Sequence, residues 1–142
     1  MNNSTQIDLK TLMEESKNLT VLYAEDEELL RNNTAMLLRK LFQNVDVAVD
    51  GKDAFTKYLD NRYDIVITDI SMPNMDGLEL IDRIRKMNLH QEIIIMSAYT
   101  ESAYTEQINT ADVTGYIYKP VDMNQMFEIL KTSIDKLKEK GT

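Results

Sequence analysis

The chain has 142 residues, 43% of them hydrophobic and 28% charged, which is ordinary for a single globular domain. Its net charge of −8 argues against nucleic acid as the main partner, because phosphate backbones are bound by clustered Lys and Arg side chains. The absence of cysteine excludes disulfides and thiolate metal sites, and the short apolar runs exclude a membrane span.

The predicted elements alternate between strands and helices along the chain. A polar leader of about 18 residues comes first, and its apolar positions fit either a short helix or a frayed tail (Ile7, Leu9, Leu12 and Met13). Strands are predicted at 21–24, 45–49, 65–68, 93–96 and 115–118. Helices are predicted at 27–42, 52–61, 77–87, 100–110 and 122–138, the last one capped by Asp122.

This alternation predicts an α/β fold: a doubly wound, five-stranded parallel sheet with helices on both faces. The strands at 21–24, 65–68 and 93–96 are almost wholly apolar, as expected when both faces of a strand are covered. The alternating strand at 45–49 suits an edge of the sheet. The expected organisation is a polar N-terminal leader at 1–18 and a folded domain at 19–140. The N-terminus lacks the pattern of a signal peptide, so we expect a cytoplasmic protein.

Polar side chains stand at the ends of four predicted strands. Glu25 and Asp26 follow the first strand, Asp69 follows the third, Ser97 the fourth and Lys119 the fifth. Ligands bind at the carboxyl edge of open α/β sheets, so these groups are expected to converge there. Acids, a hydroxyl and a lysine together predict a phosphoryl-transfer site.

Three of these groups are carboxylates, which repel one another without a compensating charge. Oxygen ligands that leave room for water describe a Mg²⁺ site. Asp26 and Asp69 are the best direct ligands, Glu25 is expected to act through water, and the backbone carbonyl of Ser71 could complete the set. The alternative is that Glu25 and Asp26 only cap the helix that follows them.

Asp69 is interpreted as a nucleophile that accepts a phosphoryl group as an acyl phosphate. Such a transfer needs alignment and neutralisation of charge on the phosphoryl oxygens, which Lys119 and Ser97 could supply together with the metal. Taken alone, Asp69 could equally be a turn-forming residue.

The chain resembles the receiver domains of the two-component response-regulator family over about residues 19–138. Four segments carry the resemblance, in matching order and spacing: Val21–Glu27, Asp64–Gly77, Ile95–Ala98 and Gly115–Pro120. The resemblance implies the flavodoxin-like, chemotaxis-regulator-like form of the doubly wound fold.

The resemblance also implies roles for individual residues. Asp69 corresponds to the phosphoacceptor and Lys119 to the lysine that contacts the phosphoryl group, with a cis peptide bond expected before Pro120. Ser71 and Tyr99 occupy positions that modulate the loss of phosphate. The metal ligands are those given above, and the cofactor is Mg²⁺, with Mn²⁺ as a substitute.

Ser97 and Tyr116 correspond to the switch hydroxyl and the switch aromatic residue of the family. Their movement is expected to alter a surface made by about residues 99–109, 115–118 and 122–138. The implied function is a phosphorylation-dependent switch that takes its phosphoryl group from a sensor histidine kinase and acts on an unidentified downstream protein. No substrate turnover, nucleic-acid contact or membrane insertion is expected, and phosphorylation could drive homodimerisation through residues 99–138.

Two alternatives stay open. The chain could be the receiver half of a longer regulator, for example a transcriptional one, cut at a linker; a stop codon after Thr142 in the source gene would decide this. It could also be a phosphatase of the haloacid-dehalogenase type, which likewise forms an aspartyl phosphate. That chemistry usually needs a second Asp two residues after the nucleophile, where this chain has Ser71.

Overall fold

The protein is a five-stranded parallel sheet covered by helices, as seen in a computed structural model that describes residues 8–98 and 112–140. The strands are β1 (Thr20–Ala24), β2 (Asn44–Ala48), β3 (Ile65–Asp69), β4 (Glu92–Ala98) and β5 (Gly115–Lys119). The helices of the described ranges are α1 (Leu9–Ser16), α2 (Glu28–Leu41), α3 (Gly51–Asp60), α4 (Gly77–Met87) and α5 (Met123–Lys140). The strand order is β2-β1-β3-β4-β5, which confirms the predicted doubly wound sheet and its alternating edge strand.

The core consists of two apolar clusters on opposite faces of the sheet. One joins the sheet to α1, α2 and α5 and contains Tyr23, Leu38 and Leu130. The other joins the sheet to α3 and α4 and contains Leu22 and Ile81. Leu22 and Tyr23 are neighbours on β1 that point to opposite faces, as the strand period requires. The apolar strands are therefore covered on both sides, as their composition predicted.

Aspartate side chains act as N-caps for three of the described helices. Asp50 Oδ1 accepts a hydrogen bond of 2.7 Å from the backbone N–H of Asp53 at the start of α3, and Asp76 Oδ1 accepts one of 2.8 Å from Glu79 at the start of α4. Asp8 caps α1 in the same way. These caps satisfy N–H groups that a helix cannot pair internally. The predicted bounds of α4 coincide with the observed ones, and those of α2, α3 and α5 differ by one or two residues.

Part of the polar leader is helical: α1 packs on the sheet domain. Leu12 is only 1% exposed and belongs to the first apolar cluster. Ser16 Oγ donates a hydrogen bond of 2.6 Å to the backbone carbonyl of Leu41 at the end of α2. Of the two possibilities for the leader, residues 9–16 therefore adopt the helix. Residues 1–7 lie outside the described ranges.

Glu15 ties α1 to α5. It accepts hydrogen bonds from Lys131, at 2.9 Å, and from Lys138, although these residues are more than a hundred positions away in the sequence. Hydrogen bonds from Lys138 and Lys131 lower the pKa of Glu15 below its usual value of 4.5. The N-terminal helix is thus held by the burial of Leu12, by the Ser16 hydrogen bond and by the two charged contacts of Glu15.

Side chains of α2 and α3 cover the outer edge of β2. Arg39 Nη2 donates a hydrogen bond of 3.0 Å to the carbonyl of Val45, and Lys57 Nζ donates one of 2.6 Å to the carbonyl of Val47. Alternate residues of a strand direct their main-chain groups to the same side. Both carbonyls that face away from β1 are therefore already bonded.

Some predicted features lie outside the described ranges, namely the helix at 100–110 and Tyr99. Within the described ranges, none of the helices combines the length and apolar content needed to cross a membrane.

Candidate functional site

The polar residues singled out from the sequence meet at the carboxyl edge of the sheet. Asp69 is the last residue of β3, Lys119 is the last residue of β5, and Glu25 and Asp26 directly follow β1. Ser97 lies within β4, one residue before its end, whereas the sequence placed it just after the strand. The parallel register brings all these strand ends to one side of the sheet.

Asp69 is nearly buried and both of its carboxylate oxygens are held. The Lys119 ammonium donates a hydrogen bond of 2.7 Å to Oδ2, and the backbone N–H of Ile70 donates one of 2.7 Å to Oδ1. The Asp69 residue is 3% exposed. These two bonds fix the plane of the carboxylate and orient it at the end of the strand.

Glu25 shares the same lysine. Its Oε1 lies 3.0 Å from Lys119 Nζ, and its Oε2 accepts a hydrogen bond of 3.1 Å from the backbone N–H of Glu27. Burial, together with the negative charge of Asp69, raises the pKa of Glu25 to about 7. The charges of Glu25 and Asp69 therefore repel each other, and the Lys119 ammonium offsets this repulsion only in part.

Lys119 remains charged in this environment. Burial alone would lower the pKa of its ammonium group, but the hydrogen bonds and charges of Asp69 and Glu25 outweigh that effect and raise it. A permanent cation thus lies between two carboxylates. Because the site is largely buried, the attraction between these charges is stronger than it would be in bulk water.

The carboxylates are close enough to hold one metal ion. One oxygen each from Glu25, Asp26 and Asp69 lies within 4.8 Å of the other two, and Asp26 is exposed to solvent. Glu25 Oε1 is buried and, although it forms an ion pair with Lys119, no well-aligned hydrogen bond reaches it from the described residues. An all-oxygen set with an open side fits a small hard cation that keeps part of its water shell, such as Mg²⁺.

The loop after Asp69 is folded tightly against the end of β3. The N–H of Gly77 donates a hydrogen bond of 2.7 Å to the carbonyl of Ile70, and a Cβ on Gly77 would lie 1.9 Å from the Asp69 carbonyl oxygen. Asn74 takes a left-handed backbone conformation, with φ at 69°, and its amide donates a hydrogen bond of 2.6 Å to Asp50 Oδ2. The loop is therefore tied to the neighbouring β2–α3 turn as well as to its own strand.

The remaining residues predicted for the site lie around this cluster. Ser97 is 2% exposed and follows Met96, which is the register partner of Asp69. Tyr116 on β5 is half-buried against the second apolar cluster, and burial raises the pKa of its hydroxyl. The peptide bond before Pro120 is cis, and Ser71 is exposed in the loop.

Two residues that contact the acidic cluster, Arg31 and Thr68, were not identified from the sequence. Arg31 Nη1 donates hydrogen bonds to the backbone carbonyls of Glu25, at 3.0 Å, and Asp26, at 3.4 Å. The hydroxyl of Thr68 donates one of 2.8 Å to the Asp69 carbonyl. Arg31 lies one turn into α2, and its spacing from Glu25 spans a strand-to-helix connection that has no fixed geometry. Only the folded structure shows that its guanidinium turns back to the backbone carbonyls of Glu25 and Asp26.

Comparison with known proteins gives consistent matches. The family model described as "Response regulator receiver domain" matches residues 21–131. The Regulatory protein VanRB of Enterococcus faecalis is 31% identical over 105 residues, covering 74% of this chain and 47% of its own length. An uncharacterized transcriptional regulatory protein of Bacillus subtilis, YesN, is 29% identical over 123 residues, covering 83% of this chain and 33% of its own. The chain thus spans about a third to a half of these relatives.

A solved structure agrees with the sequence matches. The response regulator protein TrrA of Thermotoga maritima, in complex with Mg(2+)-BeF, superimposes with a TM-score of 0.72 at 29% identity. The match covers 82% of this chain and 99% of that one. The family model covers most of the sheet and every described residue of the acidic site, and this chain belongs to the response regulator receiver domain family.

Proposed function

We propose that this receiver domain is a signalling switch that is phosphorylated on Asp69. The observation that carries the proposal is the Lys119 ammonium, 2.7 Å from the carboxylate of a nearly buried Asp69 at the carboxyl edge of the sheet. A structural ion pair needs only one acid, whereas this lysine also lies 3.0 Å from Glu25, in a cluster open to solvent through Asp26.

The chemistry is a transfer between two proteins. A carboxylate oxygen of Asp69 attacks the phosphorus of a phosphohistidine on a sensor histidine kinase. The phosphorus–nitrogen bond breaks, and the imidazole leaves with its electron pair. Lys119 would neutralise charge on the phosphoryl oxygens, and the Ser97 hydroxyl would donate a hydrogen bond to one of them. The protein turns over no separate substrate in this role.

The donor set supports Mg²⁺ as the cofactor, and Mn²⁺ has the same preference for oxygen ligands. Asp26, Asp69 and the backbone carbonyl of Ser71 would hold the ion directly, and Glu25 through water. A bound ion supplies positive charge that offsets the phosphoryl oxygens. The Mg(2+)-BeF in the TrrA complex supports this assignment.

Phosphorylation is proposed to change the surface of about residues 99–138. Ser97 and Tyr116 would act as the switch pair. Ser97 is buried and directly follows Met96, the register partner of the acceptor, and Tyr116 is half-buried on the neighbouring strand. A phosphoryl group that attracts the hydroxyl frees space beside β5, into which the tyrosine ring can turn. Ser71 and Tyr99 are proposed to modulate how readily water removes the phosphate.

The output is a protein contact. The altered surface would bind a downstream protein, another part of a longer regulator, or a second copy of the chain in a homodimer. The relatives favour a longer regulator, because they extend well beyond the matched region. We propose that the switch works in the cytoplasm, where the kinase domains that donate phosphate are found.

The test is phosphorylation of the purified chain by acetyl phosphate, with and without Mg²⁺, measured by intact mass. We expect a Mg²⁺-dependent gain of one phosphoryl group that disappears in Asp69→Asn. Asp82→Asn is the matched control, because Asp82 is an exposed aspartate on α4 whose ion pair with Lys86 lies at the surface. Labelling of Asp69→Asn at the rate of the control would overturn the assignment. Transfer from a phosphorylated histidine kinase then tests the proposed donor.

A further inference from the structure

An open groove lies between α1 and the end of α2, on the opposite side of α1 from its salt bridges to α5. Its volume is about 790 Å³, within the range of sites that bind ligands or peptide side chains. Its apolar lining comes from Leu9 and Met13 on α1, from Leu41 at the end of α2 and from Phe42 directly after it. Leu9 and Met13 are 45% and 42% exposed, although both are large apolar side chains.

The charge around this groove differs from that of the protein as a whole. The chain carries a net charge of −8, yet the groove is lined by four cationic side chains and a single carboxylate, Glu14 (the cations are Lys10, Lys17, Arg39 and Lys40). Within residues 8–98 and 112–140, none of the ion pairs involves the three lysines of the groove, Lys10, Lys17 and Lys40. Lysines elsewhere, such as Lys131 and Lys138, pair with carboxylates.

The exposed apolar strip and its unpaired cations distinguish this groove from the rest of an acidic protein. An apolar groove rimmed by polar groups marks a surface for another molecule. Because the groove is lined mainly by cations, that molecule is expected to be acidic. The negative potential of the rest of the protein repels an acidic partner from other surfaces. The helix α1 is roughly 12 Å long for its eight residues, so the side that borders the groove could run beside about two turns of a facing helix.

We propose that this groove binds an acidic amphipathic helix of a partner protein. Two or three apolar side chains of that helix enter between Met13 and Phe42, and its flanking carboxylates pair with Lys10, Lys17 and Lys40. Leu9 and Met13, one turn apart on α1, form a ridge that fits the spacing of apolar side chains on the facing helix. The site lies away from the carboxyl edge of the sheet and takes no part in phosphorylation.

The first experiment uses the full chain and a short fluorescein-labelled peptide with leucines at i, i+3, i+4 and i+7 and glutamates on the flanks. Binding is measured by fluorescence anisotropy, with a second peptide in which lysines replace the glutamates. We expect the glutamate peptide to bind about fivefold tighter or better, with an affinity that falls as salt is added. Equal binding of the two peptides would overturn the proposal.

Labelled methionine methyl groups locate the contact by nuclear magnetic resonance. We expect the glutamate peptide to shift the Met13 methyl signal and to leave Met87 unchanged. Met87 is a suitable control because it is 55% exposed but belongs to α4, on the other face of the sheet. An unchanged Met13 signal at saturating peptide would place the binding elsewhere and overturn the proposal.

Charge-reversal variants test the recognition itself. Replacing Lys10, Lys17 and Lys40 with glutamate should weaken binding of the glutamate peptide about fivefold or more and improve binding of the lysine peptide. The double variant Lys52→Glu with Lys136→Glu is the matched control, because these lysines also lack an ion pair within the described ranges but lie away from the groove. A loss of affinity in the control equal to that in the triple variant would refute the site.

Two other occupants are distinguished by the same signals. If deletion of residues 2–7 shifts Met13 and strengthens peptide binding, the groove holds the N-terminus of the chain itself. If the Met13 signal changes on dilution without peptide, the groove is covered by a second copy. Either result would overturn the proposal of a partner helix.

Discussion

The sharpest structural prediction concerns Gly77, at the start of α4. In Gly77→Ala, the new Cβ would lie 1.9 Å from the carbonyl oxygen of Asp69 and 3.0 Å from the Cα of Ile70. Both neighbours are backbone atoms of the strand end that carries the phosphoacceptor candidate, so neither can rotate away. The helix or the strand end must therefore move by about 1.5 Å to restore an ordinary contact of 3.4 Å.

The magnitude follows from two opposing terms. Overpacking against the backbone lowers the free energy of unfolding by about 3 kcal/mol, whereas the higher helix propensity of alanine over glycine raises it by about 1 kcal/mol. We expect the free energy of unfolding to fall by about 2 kcal/mol and Tm by about 8 °C. Because the shift displaces Asp69, phosphorylation by acetyl phosphate should also slow about tenfold or more.

Gly115→Ala is the matched control for this prediction. Its Cβ would meet the Cδ1 atom of Ile129 at 2.9 Å, which is the far end of a flexible side chain that can turn aside. We expect its stability to stay within about 1 kcal/mol of the parent. Urea denaturation and intact-mass phosphorylation measure both effects. The reasoning would be refuted if Gly77→Ala matched Gly115→Ala in both assays.

Three further predictions concern the N-terminal helix and the acidic site. In urea denaturation, Leu12→Ala should lower the free energy of unfolding by about 2–3 kcal/mol, because this side chain is buried. Replacement of the half-exposed Leu9 by alanine should lower it by less than about 0.5 kcal/mol. Equal values for the two variants would show that α1 is not docked. The folded-state pKa of Glu15 is lowered, so its carboxylate stabilises the fold above the unfolded pKa near 4.5 and ceases to do so as pH falls through the folded value. The Tm difference between parent and Glu15→Gln should therefore be largest near neutral pH and vanish in acid, whereas a difference independent of pH would contradict the ion pair. Mg²⁺ at about ten times its Kd should raise the free energy of unfolding by about 1.4 kcal/mol, reversed by a chelator, and the effect should be much smaller in Asp26→Asn.

The fold was predictable because its pattern is local. Four apolar runs and one alternating run are separated by helical periodicity, and a parallel sheet is the arrangement that buries them all. The grouping of Asp69, Glu25 and Lys119 followed from topology, since the carboxyl ends of parallel strands share one edge. The family motifs then supplied roles that position alone could not.

The rest depended on contacts between distant parts of the chain. Leu12 has the same spacing in a frayed tail as in a docked helix. The burial of Leu12 and the pairing of Glu15 with Lys131, across 116 positions, show that the helix is docked. The return of Arg31 to the acidic cluster depends on how α2 leaves β1. Such choices are made by three-dimensional packing, which no local pattern records.

The covered edge of β2 limits how copies of this protein can associate. Because Arg39 and Lys57 already occupy the outward carbonyls, a foreign strand must first displace two charged hydrogen bonds before it can pair there. At the other edge, the N–H of Tyr118 on β5 is bonded to the Gln125 side chain. Edge-to-edge pairing of native sheets, of the kind that leads to amyloid, is therefore disfavoured at both edges of the sheet. Copies of this protein, and its partners, are thus expected to make contact through helices and loops.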